Sequence, residues 1–159
     1  MSCWKLFQND REEVAFRGLY TTEQLRRILQ RERELADRFG GGFSLVTFAP
    51  RSQENRLTAL VHLSETLKKR LRFSDEVGWL DDQHTQIGVV MHRTPAAVAA
   101  KVAEDVCQTL PPRIPAPVCT VFYYPSDPSS GHDLGEDAAG QASGQKLDFA
   151  PLRAAATRK

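Results

Sequence analysis

Three short runs of β-branched and aromatic residues constrain the fold of this chain: Phe43–Phe48 (FSLVTF), Ile87–Met91 (IGVVM) and Val118–Tyr124 (VCTVFYY). The first is apolar on both faces. A strand of that kind must be covered on both sides, which places it at the centre of a sheet. Ile87–Met91 is preceded, across the polar DDQHTQ, by Val77–Leu80, and the two read as a β-hairpin. Between the strands the apolar period lengthens to that of helices packed on the sheet.

The helices carry their own boundary signals. Thr21 opens the first, with Gln24 three residues on to complete a capping box, and Leu25, Ile28, Leu29, Leu35, Ala36 and Phe39 follow at helical spacing. Gly40, Gly41 and Gly42 end it. These glycines follow a helix and precede a strand, the reverse of the order a phosphate cradle needs. After RSQEN, a second helix places Leu57, Leu60, Val61, Leu67 and Leu71 on one stripe, with Lys68, Lys69 and Arg70 in its last turn, where cations suit the helix dipole. His62 lies beside that stripe as a surface or boundary residue. In the third helix Thr94 is expected to cap, with Pro95 at the first position and Val98, Val102, Val106 and Leu110 buried. Pro111 and Pro112 end it, and RIPAP leads to the last strand.

Leaving aside the leading helix, the order is strand, helix, strand, strand, helix, strand. This predicts an α+β, ferredoxin-like βαββαβ sandwich with an extra N-terminal helix. Right-handed crossovers set Phe43–Phe48 beside the hairpin, and its C-terminal end, Phe48 to Pro50, next to the hairpin tip. The expected organisation is an arm over residues 1–20, a domain over 21–124 and a C-terminal tail over 125–159. The arm carries Trp4, Leu6, Phe7, Val14, Phe16, Leu19 and Tyr20 without a clean period, and packs across its own domain or a partner's. The tail is rich in Ser, Gly, Asp and Ala and is expected to be flexible. Its last stretch, with Leu147, Phe149 and Leu152, offers a short docking segment as an alternative.

A net charge of +1 gives no strong electrostatic pull on nucleic acid or anionic membrane. The basic residues of Arg26–Arg38 and Lys68–Arg72 alternate with Glu or Leu at helical spacing and read as solvated faces. Cys3, Cys107 and Cys119 share no metal-ligand or CxxC spacing, which points to free thiols in a reducing compartment. No apolar run approaches a membrane span, and the N-terminus turns charged too early for a signal peptide, so a cytoplasmic location is expected.

The run LYTTEQLRRILQRERELADRFGGGFSLVTF resembles the opening of a GGDEF (diguanylate cyclase) domain. LKKRLRFSDEVGWLDDQHTQIGVVM is similar to that family's second half, where an Arg-x-x-Asp run precedes the signature hairpin, and TPAAVAAKVAEDVCQTL to the helix that follows. The resemblance covers roughly residues 18–124, and it implies a nucleotidyl-cyclase-like fold. Active members of the family place a metal-binding aspartate at the end of the first strand. This chain has Phe48, Ala49 and Pro50 there. The signature falls on Asp81, Asp82, Gln83, His84 and Thr85, or two residues later on Gln83 to Ile87, and in neither register are its glycines or its metal-binding acid present. RSQEN replaces the residues that contact phosphate and guanine. Without carboxylates from two places to hold cations against a triphosphate, the two-metal reaction loses its charge neutralisation.

The expectation is thus a catalytically inactive regulatory or interaction domain, with no metal and no cofactor. Its partner would be another protein or a second copy of the chain, in bacterial second-messenger or exopolysaccharide-related signalling. Two further readings stay open. Arg72 and Asp75 match the run by which many family members bind cyclic di-GMP, although an arginine at a helix C-terminus before an Asp turn is also an ordinary junction. Asp81 and Asp82, with His84 nearby, could serve residual phosphoryl chemistry or simply shape a solvated turn. Trp79 is expected in the core.

Overall fold

The structure, a computed structural model, describes residues 14–125. Seven regular elements follow one another: α1 (Thr22–Phe39), β1 (Phe43–Ala49), α2 (Arg56–Arg70), β2 (Glu76–Trp79), β3 (Ile87–His92), α3 (Ala96–Thr109) and β4 (Val118–Tyr124). The strands form one antiparallel sheet in the order β2-β3-β1-β4. The split βαβ arrangement with a leading helix is the one the element order predicts.

β1 occupies the interior of the sheet. It pairs with β3 from Phe43 opposite His92 to Phe48 opposite Ile87, and with β4 from Phe43 opposite Tyr124 to Ala49 opposite Val118. One face of β1 sends Val46 and Phe48 into the main core with Leu60, Leu63, Leu67, Ile87, Val89, Val106 and Val121, under α2 and α3. The other sends Phe43 to meet Leu25, Ile28 and Val90 under α1. Burying side chains this size contributes about 1.5–3 kcal/mol each, so two-sided burial fixes β1 in the middle.

α1 begins as the sequence predicts. The Thr21 hydroxyl accepts from the Gln24 amide at 3.2 Å, and the Gln24 side chain accepts from the Thr21 amide at 2.9 Å. At its far end Gly40 takes φ 73°, a left-handed conformation that suits glycine. Polar side chains tie the helix to β2 and β3. His92 lies with Nδ1 2.7 Å from Glu32 Oε2 and Nε2 3.0 Å from Glu76 Oε2, while Arg31 reaches both Glu32 and Glu76.

Helix phase departs from the sequence reading in α2 and α3, and α1 leaves Leu35 and Phe39 of its own apolar series exposed toward its C-terminal end. In α2, Leu57 is 47% exposed, and Leu63, absent from the expected stripe, is fully buried with Leu60 and Leu67. In α3, Val98 is 44% exposed, and the buried side is Ala99, Ala103 and Val106. Both errors have one cause. Apolar residues on two adjacent faces allow either phase, and α3 turns its alanines inward because a small side chain lets a helix lie close on a sheet. Thr94 does not cap α3 either: its hydroxyl donates to the His92 carbonyl at 2.9 Å, and Pro95 is the N-cap, without a side-chain bond. Thr94 is held in place instead by its own carbonyl, which accepts from the buried Ser44 hydroxyl at 2.6 Å.

Cys119 is buried and Cys107 half-buried, both free thiols with their sulfurs in a hydrogen bond at 3.3 Å, and both pack in the core between α3 and β4. His62 is half-buried, 3.9 Å from Glu65. Cys3 and the tail stretch with Leu147, Phe149 and Leu152 lie outside the described residues.

The described end of the arm joins the domain. Residues 14–16 form a helical turn whose Ala15 carbonyl accepts from Ser64 and Lys68, and Phe16 meets Trp79 edge-on at 5.1 Å. Tyr20 then makes a parallel bridge to the outer edge of β2: its amide donates to the Val77 carbonyl at 2.9 Å, and its carbonyl accepts from the Trp79 amide at 2.9 Å. Residues 14–20 thus pack on their own domain, with Val14 and Tyr20 left exposed. Gly78 makes this possible, since a Cβ there would lie 2.8 Å from the Tyr20 carbonyl oxygen. Gly78→Ala should therefore cost about 1–3 kcal/mol through backbone displacement, seen as a lower denaturant midpoint. An unchanged midpoint would show that the bridge adds nothing to stability.

Candidate functional site

The place to look is the hairpin tip, residues 80–86, beside the C-terminal end of β1. The register puts them together, because Phe48 faces Ile87, the first residue after the tip. This is the adjacency expected from the element order.

Asp81 organises the tip. Its Oδ1 accepts from the amides of Gln83 and Thr85, both at 3.0 Å, and its Oδ2 accepts from the Thr85 hydroxyl at 2.9 Å and the Gln86 amide at 2.9 Å. Partial burial pushes this carboxyl's pKa up, but the bonds from Thr85, Gln86 and Gln83 outweigh it and hold the group below the usual carboxylate range. An aspartate whose two oxygens already take these donors is a turn builder. Asp82 and Gln83 stand exposed on the outside of the turn.

His84 does not join the aspartates. It sits at φ 54°, uncommon for a residue with a side chain, and lays its ring on that of Trp79, centroids 4.5 Å apart and planes 20° from parallel. Trp79 itself is buried, held between His84 and Phe16. Sequence reasoning placed Trp79 in the core but missed both this stacking and the part played by Thr85. An Asp followed four residues later by Thr in a polar turn was the available signal.

Across the tip, the end of β1 presents no acid. Phe48 is 1% exposed, its side chain inside the main core, and Ala49 and Pro50 are half-buried. Among the described residues no three His, Cys, Asp or Glu side chains are grouped to hold a metal ion.

Arg72 and Asp75 form a separate feature, the turn between α2 and β2. Asp75 Oδ2 accepts from the Arg72 amide at 2.9 Å, and the Asp75 amide donates to the Arg72 carbonyl at 3.0 Å. The two residues are thus together through the Arg72 backbone, and the Arg72 side chain is exposed beside a fully exposed Phe73. Nothing in the apolar pattern marked Phe73 as exposed.

No family model matches the chain, and no curated protein matches it. Solved structures do. A diguanylate cyclase protein from Thermotoga maritima superimposes with a TM-score of 0.57 at 16% identity, over 71% of this chain and 87% of that one. Diguanylate cyclase SiaD from Pseudomonas aeruginosa, solved with its activator SiaC, gives 0.54 at 17%, over 76% of this chain. The GGDEF domain of DgcB from Caulobacter crescentus, solved with c-di-GMP, gives 0.53 at 11%, over 66% of this chain and 71% of that one. The chain spans 55% of the SiaD chain. It therefore has the fold of GGDEF domains, a nucleotidyl-cyclase-like α+β sandwich. No helix among the described residues is long and apolar enough to cross a membrane.

If Asp81 builds the tip, Asp81→Asn should lower stability at neutral pH by about 1–2 kcal/mol. The sign with pH follows from the depressed folded pKa: the carboxylate's contribution is present above the unfolded value of about 4 and is lost as pH falls through the folded one. Denaturant midpoints of wild type and variant should therefore converge below about pH 4. A gap that stays constant with pH would assign the loss to shape alone.

Proposed function

We propose that this domain is a catalytically silent relative of the GGDEF cyclases, used for binding or assembly in bacterial second-messenger signalling. The observation that carries the reading is the end of β1, where Phe48 is spent on the core and Ala49 and Pro50 follow. Two-metal phosphoryl transfer needs carboxylates on both sides of the cations. Here the tip offers an aspartate already engaged by its own turn, and the strand opposite offers none. The same reading places the protein in the cytoplasm, with a protein partner or a second copy as its target, and gives it no need of a metal or cofactor. Incubation with GTP and Mg²⁺ or Mn²⁺ should yield no cyclic di-GMP or other product on chromatography. Product formed by the purified chain and lost in Asp81→Asn would overturn it.

A second reading, a cyclic di-GMP receptor, is favoured by one observation: the Arg72 side chain stands exposed next to exposed Phe73, with Asp75 fixed beside its backbone. A guanidinium can form two parallel bonds to phosphate or a guanine edge. Asp75 can accept from guanine only with the oxygen capacity left by its bond to the Arg72 amide. On this reading calorimetry gives saturable heat with wild type and about tenfold weaker binding, ~1.4 kcal/mol, with Arg72→Ala. Absent or equal heats leave the assembly role standing alone.

A further inference from the structure

α1 covers only part of its face of the sheet. It lies over β2, β3 and the Phe43 end of β1, where Leu25 and Ile28 meet Val90 and Phe43, and leaves Leu45 of β1 and Phe122 of β4 only partly covered. The result is a groove of about 690 Å³ floored by Leu45, Phe122 and Tyr124 and walled by Leu29, Arg26 and Arg33 of α1. Arg33 stands over the Tyr124 ring at 5.3 Å, and the Tyr124 hydroxyl donates to Asp37 at 2.5 Å, so the floor's outer end is held in place. The lining is mostly apolar, and the strand beside it, VCTVFYY, pairs with β1 on one side only among the described residues. A β-branched and aromatic strand at a sheet edge is a template for unwanted pairing unless something covers it.

We propose that the groove is the docking site of the chain's own C-terminal segment, Leu147–Leu152. Three observations converge on this occupant. First, the described chain ends at Pro125, directly after groove residue Tyr124, so the remaining residues, 126–159, start at the groove mouth. Second, KLDFAPL carries Leu147, Phe149 and Leu152, the first concentration of large apolar residues after Tyr124. About twenty residues separate it from the mouth, more than enough to turn back at up to ~3.3 Å each. Third, those intervening residues carry Asp127, Asp133, Glu136 and Asp137 before the first Lys or Arg, Lys146. The wall bears Arg26 and Arg33 against one acid, Glu34, so an acidic connector passing it meets a net positive charge, and its effective concentration as part of the same chain favours docking.

The test uses the full chain, isotopically labelled, in dilute solution. Nuclear Overhauser cross-peaks should join the Phe149 ring to the side chains of Leu45 and Phe122. Phe149→Ser should abolish them and shift the resonances of Leu45, Phe122 and Tyr124, while those of the α2–α3 face stay in place. Groove resonances identical in wild type and Phe149→Ser would overturn the proposal. So would cross-peaks that appear between differently labelled copies and fade on dilution, because the occupant would then be a second copy.

Discussion

β1 is the strand on which everything else is hung. It has a neighbour on each edge and a helical layer on one full face, with α1 over part of the other, so its backbone bonds and its side chains are committed at once. The core under α2 and α3 closes on Val46 and Phe48, and the smaller one under α1 closes on Phe43. That commitment also bears on chemistry. A residue at the end of β1 can serve the core or a ligand, and Phe48 serves the core.

The hairpin tip shows the complementary situation. Its polar residues look available in sequence, yet Asp81 is used up by Gln83, Thr85 and Gln86, and His84 by Trp79. Polar density in a turn is not evidence of a site until the local backbone donors have been counted. Arg72 is the contrasting case, since its partner Asp75 engages its backbone and leaves the guanidinium exposed.

Much of the fold was legible because several signals agreed. The capping box at Thr21, the two-sided apolar β1 and the hairpin spacing each point to the same element order, and all three stand in the structure. Helix phase was legible only in part, since Leu57 and Val98 sit at positions that apolarity alone could not exclude from the core. The tip's wiring was half legible, from the turn chemistry of Asp81 but not from the ring contact of His84. The groove was invisible in sequence because it is made by where α1 stops short, a property of packing that no single segment carries.

The bridge between Tyr20 and Gly78 gives the domain a handle. Two backbone bonds attach the incoming chain to the outermost strand, and Trp79, one residue past the glycine, is the floor on which His84 of the tip rests. A force applied ahead of residue 14 therefore meets the Ala15 contacts to Ser64 and Lys68 on α2 first, and then the outer edge of the sheet at β2. Peeling the arm away would uncover β2 and remove Phe16 from Trp79 before β1 felt any load.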